Sequence, residues 1–161
     1  MSDRLMGLVR LRATLPVVPP GVVRRPRLER RLGDRTGGVV LVSAGPGAGK
    51  TLAVASWLAG YDGAAAAWLT VDESDNDPRA FWSDVLAALN VAGVPPVDSQ
   101  LRDLSPASTF GASQALQVRA GLAELPRPVV LVLDDVHQLT NSEVLDSLLS
   151  LIHISEPTRR S

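Results

Sequence analysis

The 161-residue chain has no cysteine and only two histidines, which excludes disulfides and thiolate metal sites and argues against a zinc centre. No apolar run approaches the roughly 18 residues of a membrane span, and the first residues lack the apolar core of a secretory signal. A cytoplasmic location without a membrane partner is therefore expected. Neither sign of charge is in excess. Sixteen basic residues face seventeen acidic ones, a formal net charge of -1, so the balance carries no electrostatic footprint for nucleic acid. Aromatic residues make up only 4% of the chain, and Trp57, Trp68 and Trp82 fall on three separate predicted elements, which suits core positions better than a stacking platform.

Two scarcities are more specific. Fifteen of the sixteen basic residues are arginine, so Lys50 is the only lysine. Isoleucine is absent from the first 151 residues and then occurs at Ile152 and Ile154. An Ala-, Arg-, Gly-, Pro- and Val-rich chain without isoleucine suggests GC-rich coding DNA, which residues 152–161 do not match. They are expected to be a non-native or disordered tail after a truncation, the plainer alternative being a native polar chain end. The remaining length suits one ordinary domain.

Residues 1–20, ending in Leu15-Pro-Val-Val-Pro-Pro20, form an extended lead-in. Arg24 to Leu32 predicts a short basic helix with Leu28 and Leu32 on one face and the arginines in solvent. Val39 to Ser43 is a β-branched apolar run that suits a strand buried on both faces, and Thr51 to Leu58 a helix stopped by Gly60. Ala64 to Val71 is ambiguous, since its alanines favour helix while Trp68, Thr70 and Val71 favour strand; its context favours the strand. Asp77 before Pro78 predicts a capped helix to about Leu89. Residues 93–105 read as a loop, and Ser108 to Leu125 as a helix. Val129 to Leu133 is a second buried strand, and Asn141 or Ser142 caps a last helix bearing Val144, Leu145, Leu148 and Leu149. Strands alternating with helices indicate a parallel sheet.

The segment Ala44-Gly-Pro-Gly-Ala-Gly-Lys-Thr51 lies between the first strand and a helix, where a phosphate-binding loop must lie. Glycines let backbone N–H groups close around phosphate oxygens, and the helix presents its N-terminus to the negative charge. Gly45, Pro46, Gly47, Ala48, Gly49, Lys50, Thr51 and Leu52 are the candidate nucleotide-binding residues. Lys50 supplies charge to the β and γ phosphates and Thr51 an oxygen to Mg2+. Ala44 stands where the strict pattern has glycine, away from the phosphate-facing positions. About 80 residues downstream, Val129 to Asp135 (VVLVLDD) resembles a Walker B motif. Asp134 is placed to hold Mg2+ through water, and Asp135 to polarise an attacking water as the catalytic acid–base residue. Read alone, two acids after a strand are a turn or a helix cap. The acidic group Asp72, Glu73, Asp75 and Asp77 lacks a calcium-loop spacing and reads as a solvated turn with a helix cap; His137 reads as a loop histidine rather than a phosphate sensor.

The order VVRRPRLERRL, LVSAGPGAGKT, AAWLTVDESDNDPRAFW and VVLVLDDVH, covering Val22 to Leu151, resembles the nucleotide-binding domain of STAND-class NTPases, in particular the large ATP-dependent LuxR-type transcriptional activators of the MalT-like family. The resemblance implies an incomplete α/β, three-layer (αβα), parallel-sheet P-loop NTPase domain over residues 21–151, lacking the sensor strand. It implies ATP and Mg2+ as ligands and an adenine-side role for Val23 and Arg25, although the glycine that precedes this arginine in the family is missing. It also implies self-association controlled by nucleotide state, ATPase activity in a full-length parent rather than in this piece alone, and DNA contact only through a C-terminal domain. The sensor strand of such proteins lies between the P-loop and Walker B strands, so Val39–Ser43 and Val129–Leu133 are expected to be parallel but not paired. The alternatives are a P-loop small-molecule kinase, for which no phosphoacceptor pocket or lid arginines are visible, a switch that binds nucleotide but hardly hydrolyses it, and a non-functional fragment.

Overall fold

The computed structural model describes residues 11–33, 39–104 and 112–152. In chain order these form α1 (Pro26–Gly33), α2 (Lys50–Ala59), β1 (Ala65–Thr70), α3 (Pro78–Val91), the single turn α4 (Gln100–Asp103), α5 (Ala112–Ala123), β2 (Val129–Asp134) and α6 (Ser142–Ile152), with 3-10 turns at Glu73–Asn76 and Val136–Gln138.

β1 and β2 are parallel neighbours, in register from Ala65 opposite Val129 to Thr70 opposite Asp134. The period of two sorts their side chains onto two faces. Ala67, Leu69 and Val71, with Leu131 and Leu133, meet Phe81, Trp82, Val85 and Leu89 of α3, Val118 of α5 and Val144 of α6. On the opposite face Trp68, Val130 and Val132 meet Ala55, Trp57 and Leu58 of α2 and Leu32 of α1. Helices thus cover both faces of a parallel sheet, the layering expected of an α/β fold. This burial resolves the ambiguity of Ala64 to Val71: Ala67, Trp68 and Leu69 are at most 1% exposed, and the gain from burying them on two faces outweighs alanine's preference for helix. All three tryptophans are buried. Trp82 packs edge-on against Phe81, with centroids 5.3 Å apart, and its indole N–H donates to Ser147 Oγ at 3.0 Å, tying α3 to α6.

Helix ends follow local chemistry. The Asp77 carboxylate accepts from the Ala80 N–H at 2.8 Å with Pro78 at the first position, and Asn141 Oδ1 accepts from the Glu143 N–H at 2.9 Å. Four expectations are corrected. Val39–Ser43 is not a strand: Val39, Val40 and Leu41 are 50%, 43% and 76% exposed, and only Val42 packs, against the α1/α2 cluster. A strand needs a hydrogen-bonding neighbour; β1 and β2 have each other, and no described strand lies beside this segment. Second, the loop at 93–105 contains α4, whose Leu101 is buried; a Cβ on Gly121 would lie 3.0 Å from Leu101, so α4 and α5 approach closely because residue 121 has none. Third, the lead-in is not wholly extended, since residues 11 and 12 are helical and Ala13 is buried in the core. Fourth, Val129–Leu133 is half-buried along its length rather than buried on both faces, its outer edge lacking a described neighbour. The expected Ser108 to Leu125 helix is realised over Ala112–Ala123, its first residues lying outside the described ones, as does the tail beyond Ile152.

Candidate functional site

The loop from Ala44 to Gly49 is exposed except at half-buried Ala48 and leads directly into α2. Gly47 and Gly49 have φ of 73° and 72°, a left-handed conformation that costs glycine nothing and any other residue free energy. No side chain caps α2 at Gly49, so its leading amides, which lack partners within the helix, remain available to an anion. The Lys50 ammonium donates to the carbonyls of Ala44 and Gly45, at 2.8 and 3.2 Å, and is therefore folded over its own loop. Leu52 is half-buried, and Pro46 is exposed.

Residues far apart in sequence meet at the C-terminal edge of the sheet. The Thr51 hydroxyl donates to Asp134 Oδ2 at 2.9 Å, across 83 positions. Asp134 Oδ1 accepts from the Asp135 N–H at 3.1 Å. Asp135 is exposed and is the only described non-glycine residue with positive φ, at 57°. Its carboxylate lies 3.8 Å from His137 Nδ1, an exposed pairing of little energetic weight. On the other side of the loop, Arg25 Nη2 donates to the Ala48 carbonyl at 3.2 Å, whereas Val23 is 82% exposed. The structure therefore gathers the loop, Thr51, Asp134, Asp135 and Arg25 at one end of the molecule.

The acidic turn after β1 departs from a solvated one. Asp72 caps the Ser74 N–H, and Asp75 is fully buried, accepting from the Asp72 N–H at 2.8 Å and from Arg12. Arg12 is the unpredicted residue of this region. Its guanidinium donates to the Thr70 carbonyl at 2.9 Å and Asp84 at 2.9 Å, and pairs with Asp72 at 3.2 Å and with Asp75. Nothing in the local sequence around Arg12 signals partners about 60 to 70 positions away. The aspartates of the turn are spent on capping and on this arginine, and no cluster of acids or histidines among the described residues is arranged to hold a metal ion by itself.

Burial pushes the Asp75 and Asp84 carboxyls above the ordinary aspartate range, with Arg12 opposing it; the Ser74 hydroxyl is the main influence holding Asp72 below it. A raised carboxyl binds its proton more tightly in the folded chain. The Asp84 contribution to stability therefore declines as pH rises from the unfolded value near 3.9 to the raised folded value, and Asp72 contributes with the opposite sign. Wild type should accordingly gain thermal stability relative to Asp84→Asn as pH is lowered from 7 toward 4, read from paired melting curves. A difference that is flat with pH would contradict this.

Comparison with known proteins bears on the whole of this arrangement. Over 145 residues the chain is 34% identical to the HTH-type transcriptional regulator MalT of Serratia proteamaculans (strain 568), a match covering 88% of this chain and 16% of that protein. It is 31% identical over 132 residues to the HTH-type transcriptional regulator MalT of Cronobacter sakazakii, covering 79% and 14%. The chain thus spans about a sixth of the length of these relatives. Residues 32–160 match the family model described as AAA domain. With the match spanning most of its length and helices on both faces of a parallel sheet, the chain belongs to the AAA domain family and has an incomplete α/β P-loop NTPase fold.

Proposed function

We propose that this chain is the Mg-ATP-binding module of a longer signal-responsive transcriptional regulator, in which nucleotide state controls self-association. The observation that carries the reading is the hydrogen bond between Thr51 and Asp134 beside a glycine-rich loop and an uncapped helix N-terminus. A hydroxyl and a carboxylate held this close suit a hard cation that prefers few protein oxygens and keeps several waters. Thr51 and Asp134 would hold Mg2+, the backbone N–H groups of Gly47 to Leu52 and the Lys50 ammonium would hold the phosphates with Gly45 and Pro46 shaping the start of the loop, and Val23 and Arg25 would flank the base. When bound, the metal supplies neutralisation of charge on the β and γ phosphates. Lys50 turns from its own loop carbonyls to the phosphates, and Asp135, one residue beyond the metal carboxylate, accepts the proton of an attacking water. That the relatives are HTH-type transcriptional regulators of about six times this length supports assigning DNA contact to a region of a longer protein outside these residues. No described helix is long and apolar enough to cross a membrane.

Lys50→Ala tests the reading directly. No other lysine can replace the ammonium, and a charge-assisted contact of about 1.5 to 3 kcal/mol corresponds to a roughly 10- to 150-fold loss of affinity. Titration with labelled ATP and ADP should show both weakened; unchanged affinity would remove the phosphate-binding assignment.

A further inference from the structure

We infer that Asn76 is a positioning residue for Asp135, holding the loop after β2 from the acidic turn after β1. The inference rests on the reading of Asp135 as the group that accepts the water's proton. The Asn76 side chain bridges from the acidic turn to the loop after β2. Its Oδ1 accepts from the N–H groups of Thr140 and Asn141, at 2.7 and 2.9 Å, and from the Thr140 hydroxyl at 3.3 Å. Its Nδ2 donates to the Gln138 carbonyl at 2.8 Å and to the Glu73 carbonyl at 3.2 Å. Asn141 returns the contact, donating from Nδ2 to the Asn76 carbonyl at 2.8 Å.

The partners on the far loop, Gln138, Thr140 and Asn141, lie three to six positions after Asp135. Between them the 3-10 turn is closed by the Gln138 N–H to the Asp135 carbonyl, at 2.9 Å, and by the Leu139 N–H to the Val136 carbonyl, at 3.1 Å. The grip on residues 138–141 is thus relayed through one short turn to a residue whose backbone is left-handed, a conformation that persists only where its surroundings enforce it. A side-chain amide suits this position because it offers an acceptor and two donors in one plane, so one residue satisfies two backbone N–H groups and a backbone carbonyl together. The two gripped segments begin where paired strand ends, Thr70 and Asp134, stop. A fixed distance between these loops therefore fixes where the Asp135 carboxylate stands relative to Thr51 and Asp134.

The test uses the full-length protein and measures Mg-ATP affinity and steady-state turnover for Asn76→Ala, Asn76→Asp and Asp77→Ala. Asp77→Ala removes the helix cap one residue away and serves as the comparator for damage to the turn as such. Asn76→Ala should lower kcat about 10- to 100-fold while Kd for Mg-ATP changes less than threefold, and Asp77→Ala should leave kcat within about twofold. Asn76→Asp keeps the acceptor for Thr140 and Asn141 and loses the donation to Gln138; its kcat should fall between wild type and alanine, and it decides the question if the alanine variant does not fold. Equal losses in Asn76→Ala and Asp77→Ala, or a loss in Kd rather than kcat, would overturn the inference. Wild-type protein that binds Mg-ATP without turning it over would overturn it through Asp135, and wild-type protein that binds no nucleotide would overturn the underlying reading itself.

Discussion

Arg12→Ala is expected to lower the free energy of unfolding by about 3 to 5 kcal/mol at pH 7, the range for breaking a buried ion pair by deleting one partner. Asp75 is fully buried, and Arg12 is its cationic partner. One oxygen of that carboxylate, Oδ1, already has no hydrogen-bond partner among the described residues, so the Asp72 amide and Arg12 carry the whole compensation on the other oxygen. Without the guanidinium, Asp84 and the Thr70 carbonyl also lose a donor. Urea unfolding should show the midpoint shift, and melting temperature should fall by about 10 °C for a chain of this size. Because burial already raises the Asp75 carboxyl, the deficit should shrink as pH falls and the acid becomes neutral. The double variant Arg12→Ala/Asp75→Asn should recover part of the loss, since it removes the charge that the single variant strands. A single-variant effect below about 1 kcal/mol would mean that Arg12 does not anchor the lead-in.

Asp135→Asn in the full-length protein should reduce turnover by about 10²- to 10⁴-fold, the usual worth of a general base, while Mg-ATP affinity stays within about threefold. Asparagine tolerates the left-handed region better than other non-glycine residues, so this variant preserves the backbone at 135 and removes only the basic oxygen. Asp134→Asn should behave differently. Its carboxylate accepts the Thr51 hydroxyl, and replacing it should weaken Mg2+-dependent nucleotide binding itself. Equilibrium titrations with and without Mg2+, set beside single-turnover rates, separate the two. Equal loss of binding from both variants would refute the division of roles.

What could be read from sequence was what local chemistry determines. The glycine spacing before Lys50, the Asp77-Pro78 start of α3, the Asn141 cap of α6 and the β-branched run of β2 are each decided within a few residues, and all are found in place. Val39–Ser43 has a local pattern as clear as that of β2 but no described neighbour to pair with, and without one apolar residues do not make a strand. Arg12 and Asn76 were illegible for the opposite reason. Their roles lie in partners about 60 to 70 positions away, and neither an arginine in a proline-bound lead-in nor an asparagine among aspartates announces a long-range contact. The juxtaposition of Thr51 with Asp134 was legible only through motif order, because it depends on how α2 packs on the face of the sheet that bears Val130 and Val132.

The left-handed backbone at Asp135 sets conformational ease against chemistry at a single position. Glycine would adopt φ 57° freely, whereas an L-residue there gives up roughly 1 kcal/mol or more. A sequence shaped by stability alone would therefore drift toward glycine at 135, and on the proposed reading, with the carboxylate gone, it would fold better and no longer take the water's proton. Screens that reward thermal resistance would carry the protein in that direction. On the proposed reading, position 135 is thus a place where activity is held at a cost in stability.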